Sequence, residues 1–556
     1  MKSGEASNKV AAYLQAHISG DVFAGQKIRS SYSTDGSILT LTPSLVVYPR
    51  TTNDVRKVAR FAWQLAEKGH VLPITPRGYG SDTSGAAIGK GIIMCTTAHM
   101  GRILELDTKQ RLVRVQPGLN VRSLQETLHT HGLFLPAYPA NYKYSTIGGA
   151  IANNSSGDKS FKYGSIVDWV QKLEVVLANG EVIQTGKINK KELERKKGLP
   201  TLEGEIYRAV DGLTADHDTA IYEYDDSRRS ALSRDNVGYA FADAFRKDGS
   251  CDLTPLFVGS QGTLGIITEA ILKVELYSPQ TSLLVASFDS HAAMAEAVDI
   301  AAGVSPTSIE FIDESLIEFA KKEKGLDVMK GIFDTVDVPP KAVLFIEFDD
   351  ANHRKRNKKI KKLYNLIGKI ATDIRATDDL EAQEALWAAR SSSSTVLQYE
   401  KGHLAALPII DDCIVPTDKF LELLGVINEL SAQHKVPIVS WGHAGDAHVH
   451  AMPLLDLTKL GDRQKVFKLM NDYFTKVIAL GGSIAAENND GRLRSVFTKL
   501  QLGEELVDVM ADIKKAFDPY TMLNPGVKSG TNPKQLAELL REEYSLSKHV
   551  DYVPRS

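Results

Sequence analysis

Hydrophobic and polar positions alternate in blocks that predict mixed helices and strands. Val55, Val58, Ala59, Ala62 and Leu65 recur at three- and four-residue spacing, which predicts a helix with one apolar face, capped by Thr52 or Asn53. Runs at Leu39–Pro49, Val71–Thr75, Gly91–Cys95 and Leu112–Gln116 read as extended segments, so the chain begins in an α/β rhythm. A second helix is expected over Val121–His131, closed by Gly132, and Lys172–Leu177 with Glu181–Thr185 reads as a hairpin about Asn179-Gly180. Residues 187–250 break this rhythm, and their charge run Lys187–Lys197 reads as a solvated surface excursion. After Pro279 the texture changes to Ser282–Asp289, Met294–Ala302, Ala342–Asp349 and a basic helix, Lys355–Leu366, read as a wet face of a second domain.

Composition narrows the classes. At 556 residues and 43% hydrophobic content the chain can form roughly three to five domain-sized units. Its 66 basic and 69 acidic residues nearly cancel, which removes the electrostatic case for a nucleic-acid partner. Cys95, Cys251 and Cys413 are too dispersed for a disulfide framework, a Cys-x-x-Cys motif or an iron–sulfur segment. No apolar run approaches the ~18 residues of a membrane span. A cytoplasmic protein, with peripheral membrane contact left open, is the expectation.

Three glycine-rich stretches carry the candidate chemistry. The first is Pro76-Arg77-Gly78-Tyr79-Gly80-Ser81-Asp82-Thr83-Ser84-Gly85, where close-set glycines let main-chain N–H groups converge on an anion and Arg77 adds charge at the rim. It is neither a phosphate loop of the NTPase type nor a dinucleotide fingerprint: Ala86 and Ala87 stand where Lys and Ser/Thr are needed, and Thr83 where the third glycine belongs. An ordinary surface turn remains the alternative. The second, Ser145–Gly157, mixes small residues with hydroxyls and amides, including Thr146, Gly149, Asn153, Ser156 and Gly157, as suits a backbone lying against a flat ligand. The third, Gly259–Thr268, contains Gly262 and Ile267 and runs into a strand over Glu269–Leu276.

Together Arg77-Gly78-x-Gly80, Thr146-Ile147-Gly148-Gly149 and Gly259-Ser260-x-Gly262-Thr263-Leu264-Gly265-Ile266-Ile267-Thr268 resemble the FAD-binding domain of the vanillyl-alcohol oxidase and para-cresol methylhydroxylase superfamily. More narrowly they resemble its glycolate oxidase and D-lactate dehydrogenase members, the D-2-hydroxyacid dehydrogenases. The resemblance implies an α+β protein: a two-lobed FAD-binding domain of the para-cresol methylhydroxylase type with an α+β substrate (cap) domain. It divides the chain into an N-terminal extension (1–38), the FAD domain (39–278), the cap domain with a metal site (279–500) and a C-terminal segment returning to the FAD domain (501–556). The first loop would wrap the pyrophosphate, the second would line the flavin and Ile267 would meet it through its backbone. Ser81 stands where covalent relatives carry His, so non-covalent FAD is expected, and Gln261 replaces a usual Glu. Asn524, in the closing Phe517–Gly526 stretch, is expected to reach the cofactor.

A strand over Pro437–Trp441 leads to Gly442-His443-Ala444-Gly445-Asp446-Ala447-His448-Val449-His450, and Glu487 follows a later glycine pair. Residues two apart on a strand share a face, so His448 and His450 project together. Two imidazoles and a carboxylate suit a divalent ion such as Zn or Mn, surface histidines in a loop being the alternative. The family pattern Gly-His-x-Gly-Asp-x-x-x-His with a later Glu matches His443, His450 and Glu487 as metal ligands. The same resemblance places a base directly after the metal-binding Glu, where this chain has Asn488, and an Asn where it has His448. His448 is therefore expected as base with Asn488 as its hydrogen-bond partner, and Arg390 as the partner of a substrate carboxylate. Ile410 stands about where some relatives carry a lysine, so small substrates are expected over dicarboxylates.

The implied activity is FAD-dependent, metal-assisted oxidation of a D-2-hydroxy acid, D-lactate or glycolate-like, with electrons passed to a quinone, a cytochrome or a flavoprotein. Rivals are a superfamily member of other chemistry, such as alkyl ether lipid synthesis, and a flavin-binding protein that has lost turnover.

Overall fold

A computed structural model describes residues 3–244, 249–324 and 339–545. The helix expected from residue 52 runs Thr52–Ala66, and its cap is Thr51, whose hydroxyl accepts from the Asp54 amide. Its apolar face packs on a sheet in which Leu45–Tyr48 and Ile74–Arg77 flank Ile92–Cys95 in parallel. The middle extended run therefore lies later than its hydropathy indicates, at Ile74–Arg77, and ends inside the first glycine loop. A second, antiparallel sheet orders Ile103–Asp107, Leu112–Val115, Ile266–Lys273, Val170–Val176 and Val182–Gln184. The Asn179-Gly180 turn closes its hairpin, with Gly180 at φ 85°.

The N-terminal segment is an integral part of the lobe that these sheets form. Asp21–Phe23 pairs with Leu45–Tyr48, Leu14 and Ile18 enter the same core as Val55 and Val58, and Leu39 bridges to Leu540. The C-terminal segment does return to this lobe: the Ile74 amide donates to Met522 and the Asn524 amide to Ile74.

Among the described residues, the second lobe is built on one sheet of nine strands. Its path runs Asp373–Thr377, Ser282–Phe288, Ala342–Phe348, Ser308–Asp313, Ile438–His443, His448–Asp456, Leu404–Ala406 and Glu400–Lys401, with Cys413–Ile414 also pairing His448–Asp456. Helices His291–Ala302 and Phe420–His434 contribute to its core. The basic helix, His353–Ile367, keeps most of its cations exposed but buries Arg356 against Ser282 and the Asp350 carbonyl.

The charge run forms the helix Lys190–Lys197, which buries only Leu193. The rest of that excursion is structural: Leu202–Asp216 packs against Thr498–Phe517, and the loop after the next helix, Asp218–Ala231, enters the space between the lobes.

Candidate functional site

The three glycine stretches converge on one cleft. Pro76 to Asp82 form one wall, and Ala152, Asn153 and Ser155 with Thr146 and Gly149 form another. Gly262 and Ile267 close it together with Asn488 from the second lobe. The first loop is shaped for an anion. Among the described residues no protein acceptor takes the backbone N–H groups of Tyr79, Gly80, Ser81, Asp82 or Thr83, and the buried Thr83 hydroxyl is also unpartnered. Gly78 is required by close approach, since a Cβ there would lie 2.2 Å from Thr146 Oγ1, and Gly80 by its φ of 75°. These features fit FAD, whose pyrophosphate needs converging donors and no side chains in the way.

Several expected ligands make their side-chain hydrogen bonds to protein, or lie off the cleft. The Arg77 guanidinium is buried, donates to the Thr34 and Ala87 carbonyls and stacks over Tyr32, so it braces the loop instead of charging its rim. Asp82 staples the loop by accepting from the Ser84 and Ala86 amides and from Asn153 Nδ2. Gly85 and Gly157 do not line the cleft; a Cβ on Gly85 would meet Leu39, and one on Gly157 the Tyr138 carbonyl. Asn524 does not reach it either, because its amide is spent on Thr75, Ala86 and Gln261. Gln261 in turn ties Ser84, Asn153 and the Gly491 amide together, contacts for which a neutral amide supplies both donor and acceptor.

Beside the cleft stands the histidine hairpin. Ile438–His443 and His448–Asp456 pair antiparallel with His443 opposite His448, across a tight turn at Ala444–Asp446. Gly442 is needed because a Cβ would come within 2.2 Å of the His448 carbonyl. Donor atoms of His443, His448, His450 and Glu487 all lie within 4.8 Å of one another. His443 Nδ1 contacts Glu310 Oε1 at 2.7 Å and His450 Nδ1 contacts Asp411 Oδ1 at 2.9 Å. That leaves both Nε2 atoms toward Glu487, 3.0 and 3.7 Å from its two oxygens. His443 Nε2 is buried and, despite that short approach, has no hydrogen-bond partner. Carboxylate-held imidazoles whose other nitrogens converge with a carboxylate are the usual surroundings of a divalent metal.

Electrostatics agree with a cation. Asp158, Glu310, Asp411, Asp412, Asp446 and Glu487 outnumber the Arg234, Arg390 and Arg494 guanidiniums around the hairpin. Burial opposes charge on His443, yet the Glu310 and Glu487 carboxylates outweigh it and hold the imidazole up at about 10. Burial likewise opposes ionisation of Glu487, but His443 beside it draws its carboxyl far below the ordinary range.

Two expected roles need correction. His448 is not available as a base: Arg234 Nη2 donates to its Nδ1 at 3.1 Å, which leaves Nε2–H to donate to Asp412 Oδ1 at 2.9 Å. Burial pushes this imidazole well below its ordinary pKa, so it is neutral. Its partner is Asp412 and not Asn488; Asp412 also accepts from the Glu487 and Asn488 amides at 2.7 and 2.8 Å. Arg390 ends the helix Leu380–Arg390, and its fork is committed to Glu310 Oε2 and Ser393 instead of facing an open cleft.

Sequence reading missed Glu310, Asp411, Arg234 and Asn236. The signal for Glu310 was a carboxylate inside the fully buried strand Ser308–Asp313, where it pairs in register with His443. Arg234 and Asn236 carried none. They come from the excursion, where Arg234 binds Asp446 and His448, and Asn236 ties the Ala486 and Asn488 carbonyls to those of Asn153 and Asn154.

Comparison with known proteins agrees with this arrangement. The FAD binding domain family matches residues 43–186, and the C-terminal domain of the FAD linked oxidases matches residues 278–527. Glycolate oxidase subunit GlcD of Bacillus subtilis (strain 168) is 30% identical over 87% of this chain and 88% of its own. D-2-hydroxyglutarate dehydrogenase of Pantoea ananatis (strain AJ13355) is 28% identical over 91% of this chain, which spans 50% of that longer protein. Among solved structures, p-cresol methylhydroxylase with substrate bound superposes with a TM-score of 0.68 at 15% identity, covering 95% of this chain and 97% of that one. The chain belongs to the FAD-linked oxidases, with an FAD-binding lobe and a cap lobe in the p-cresol methylhydroxylase fold.

Proposed function

We propose that the protein oxidises a small D-2-hydroxy acid, of the size of D-lactate or glycolate, to the 2-oxo acid. FAD would lie non-covalently in the cleft, and a divalent ion, Zn or Mn, would be held by His443, His450 and Glu487. One adjacency carries this reading: Glu487 belongs to the ion-binding set, and the next residue, Asn488, lines the flavin cleft. When bound, the flavin supplies the two-electron acceptor, and the metal a Lewis acid for the substrate's carboxylate and hydroxyl oxygens.

The chain's own contribution is orientation. Glu310 and Asp411 fix the ring of each histidine ligand, and Arg390 holds Glu310 in turn. Asp412, at a strained φ of 71°, pins the Glu487 and Asn488 amides and so sets the ligand carboxylate against the cleft. Ile410 is fully buried in the core and offers no cation for a second carboxylate, which favours small substrates. Electrons would leave to a quinone, a cytochrome or a flavoprotein. No helix among the described residues is long and apolar enough to cross a membrane. A cytoplasmic enzyme, in contact with the membrane surface at most, is the accompanying proposal.

The test is anaerobic. Purified protein is assayed for FAD and metal and mixed with a panel of 2-hydroxy acids while flavin absorbance is followed. Bleaching by D-lactate or glycolate, with about one metal per chain, is expected. Bleaching by none of the panel overturns the reading and leaves a flavin-binding protein without turnover or a superfamily member of other chemistry.

A further inference from the structure

Oxidation of an alcohol requires a group to take the hydroxyl proton, and nearly every carboxylate near the hairpin is already engaged. Glu310 accepts from Arg390 and faces His443, Asp411 holds His450, and Asp446 accepts from Ser160 and Arg234. Asp412 serves His448 and a run of backbone amides. Asp158 differs from all of these. It is exposed to solvent and, among the described residues, it accepts no hydrogen bond and forms no ion pair. Even so, one of its oxygens lies within 4.8 Å of donor atoms on both Glu310 and His443.

Its place in the chain explains this position. Ser155 lines the flavin cleft, and the Ser156 hydroxyl donates to Glu487 Oε1 at 3.3 Å. On the other side, Lys159 pairs with Glu347 of the cap lobe and Ser160 donates to Asp446. Asp158 therefore sits at the seam where the flavin cleft meets the histidine hairpin.

Resting on the function proposed above, we propose that Asp158 is the catalytic base, taking the hydroxyl proton of a small 2-hydroxy acid lodged between the flavin cleft and His443, His450 and Glu487. In this step the substrate O–H bond breaks and its proton goes to the Asp158 carboxylate. The O–H electron pair becomes the second C2–O bond, and the C2–H bond breaks with its pair passing to oxidised FAD. The substrate loses two electrons, FAD gains two, and Asp158 returns its proton to the solvent to which it is open. No residue at position 448 or 488 is then needed as base.

The test uses the FAD- and metal-loaded full chain with Asp158→Asn and Asp158→Glu. Three quantities are read: anaerobic flavin reduction by D-lactate, flavin and metal content, and the affinity for oxalate followed by flavin absorbance. Asp158→Asn is expected to slow reduction by about 10²- to 10⁴-fold and Asp158→Glu to recover part of the rate, with cofactor contents unchanged. Oxalate, a dianion that cannot be oxidised here, is expected to bind Asp158→Asn several-fold more tightly because a facing negative charge has gone. Reduction of Asp158→Asn at the wild-type rate, or an unchanged oxalate affinity, overturns the assignment. Loss of FAD or metal in both variants also overturns it, in favour of a structural role. If wild-type flavin is reduced by no 2-hydroxy acid, the parent reading falls and this one with it, whereas equal reduction of wild type and Asp158→Asn removes Asp158 alone.

Discussion

The flavin cleft and the histidine hairpin solve different physical problems with different parts of the chain. The cleft works mainly through its backbone, where glycines leave main-chain donors open to a ligand and Thr146 occupies the space a Gly78 side chain would fill. The hairpin works through side chains, each fixed by another from a distant segment: Glu310 for His443, Asp411 for His450, Arg234 and Asp412 for His448. The first depends on steric absence and the second on charge balance. Mutations should therefore separate flavin binding from metal binding.

The largest effect should come from removing a ligand. Glu487→Ala is expected to abolish metal binding and slow flavin reduction by about 10³-fold or more, the loss of several kcal/mol of transition-state stabilisation, while FAD remains bound. Metal analysis alongside stopped-flow absorbance checks this, and loss of FAD with the metal would break the separation. Glu310→Gln should be milder, lowering metal affinity by about 10- to 100-fold, measured by competition with a chelator, again with flavin retained.

The reciprocal change lies in the first loop. Gly80→Ala forces a Cβ at φ 75° and places it 2.2 Å from Arg77 Nη2. Left-handed strain of ~1–2 kcal/mol should weaken FAD binding about tenfold or more, leaving metal content intact; a flavin titration of the apoprotein measures it.

A smaller effect concerns stability. Buried Asp35 accepts from Ser37 and from the Ala87 amide behind the first loop, and desolvation with Asp82 nearby raises its carboxyl to about 6. The folded protein then binds the extra proton between the unfolded value and about 6. The stabilisation is full below about pH 4 and disappears as pH rises through about 6, for a span of ~3 kcal/mol. Asp35→Asn should flatten the slope of Tm across that window, a change confined to the flavin lobe and absent from metal affinity.

The two regions were also unequally legible. The glycine loops announced themselves because close-set glycines mark a backbone that must turn or approach closely: Gly80 and Gly262 have positive φ, and Gly78 packs on Thr146. The shared face of His448 and His450 was legible as well, since a two-residue spacing on one strand fixes it, and the short turn after His443 brings that residue beside them. Roles that depend on what a side chain meets were not legible. Arg77, Arg390 and Asn524 have the right residue type in the right motif, yet each spends its hydrogen bonds on protein partners. His448 has the chemistry of a base but is locked by an arginine from a segment that reads as a surface excursion.

By itself, then, the sequence determined the α+β lobes, the three cofactor-facing loops and the ligand-bearing hairpin, because each is encoded by short-range spacing and by glycine's conformational freedom. Only the tertiary structure decided which titratable groups are neutral, which are paired and which, like Asp158, remain open. Those properties follow from burial and from groups brought together from distant segments, such as Glu310 against His443 or Asp412 against the Glu487 amide.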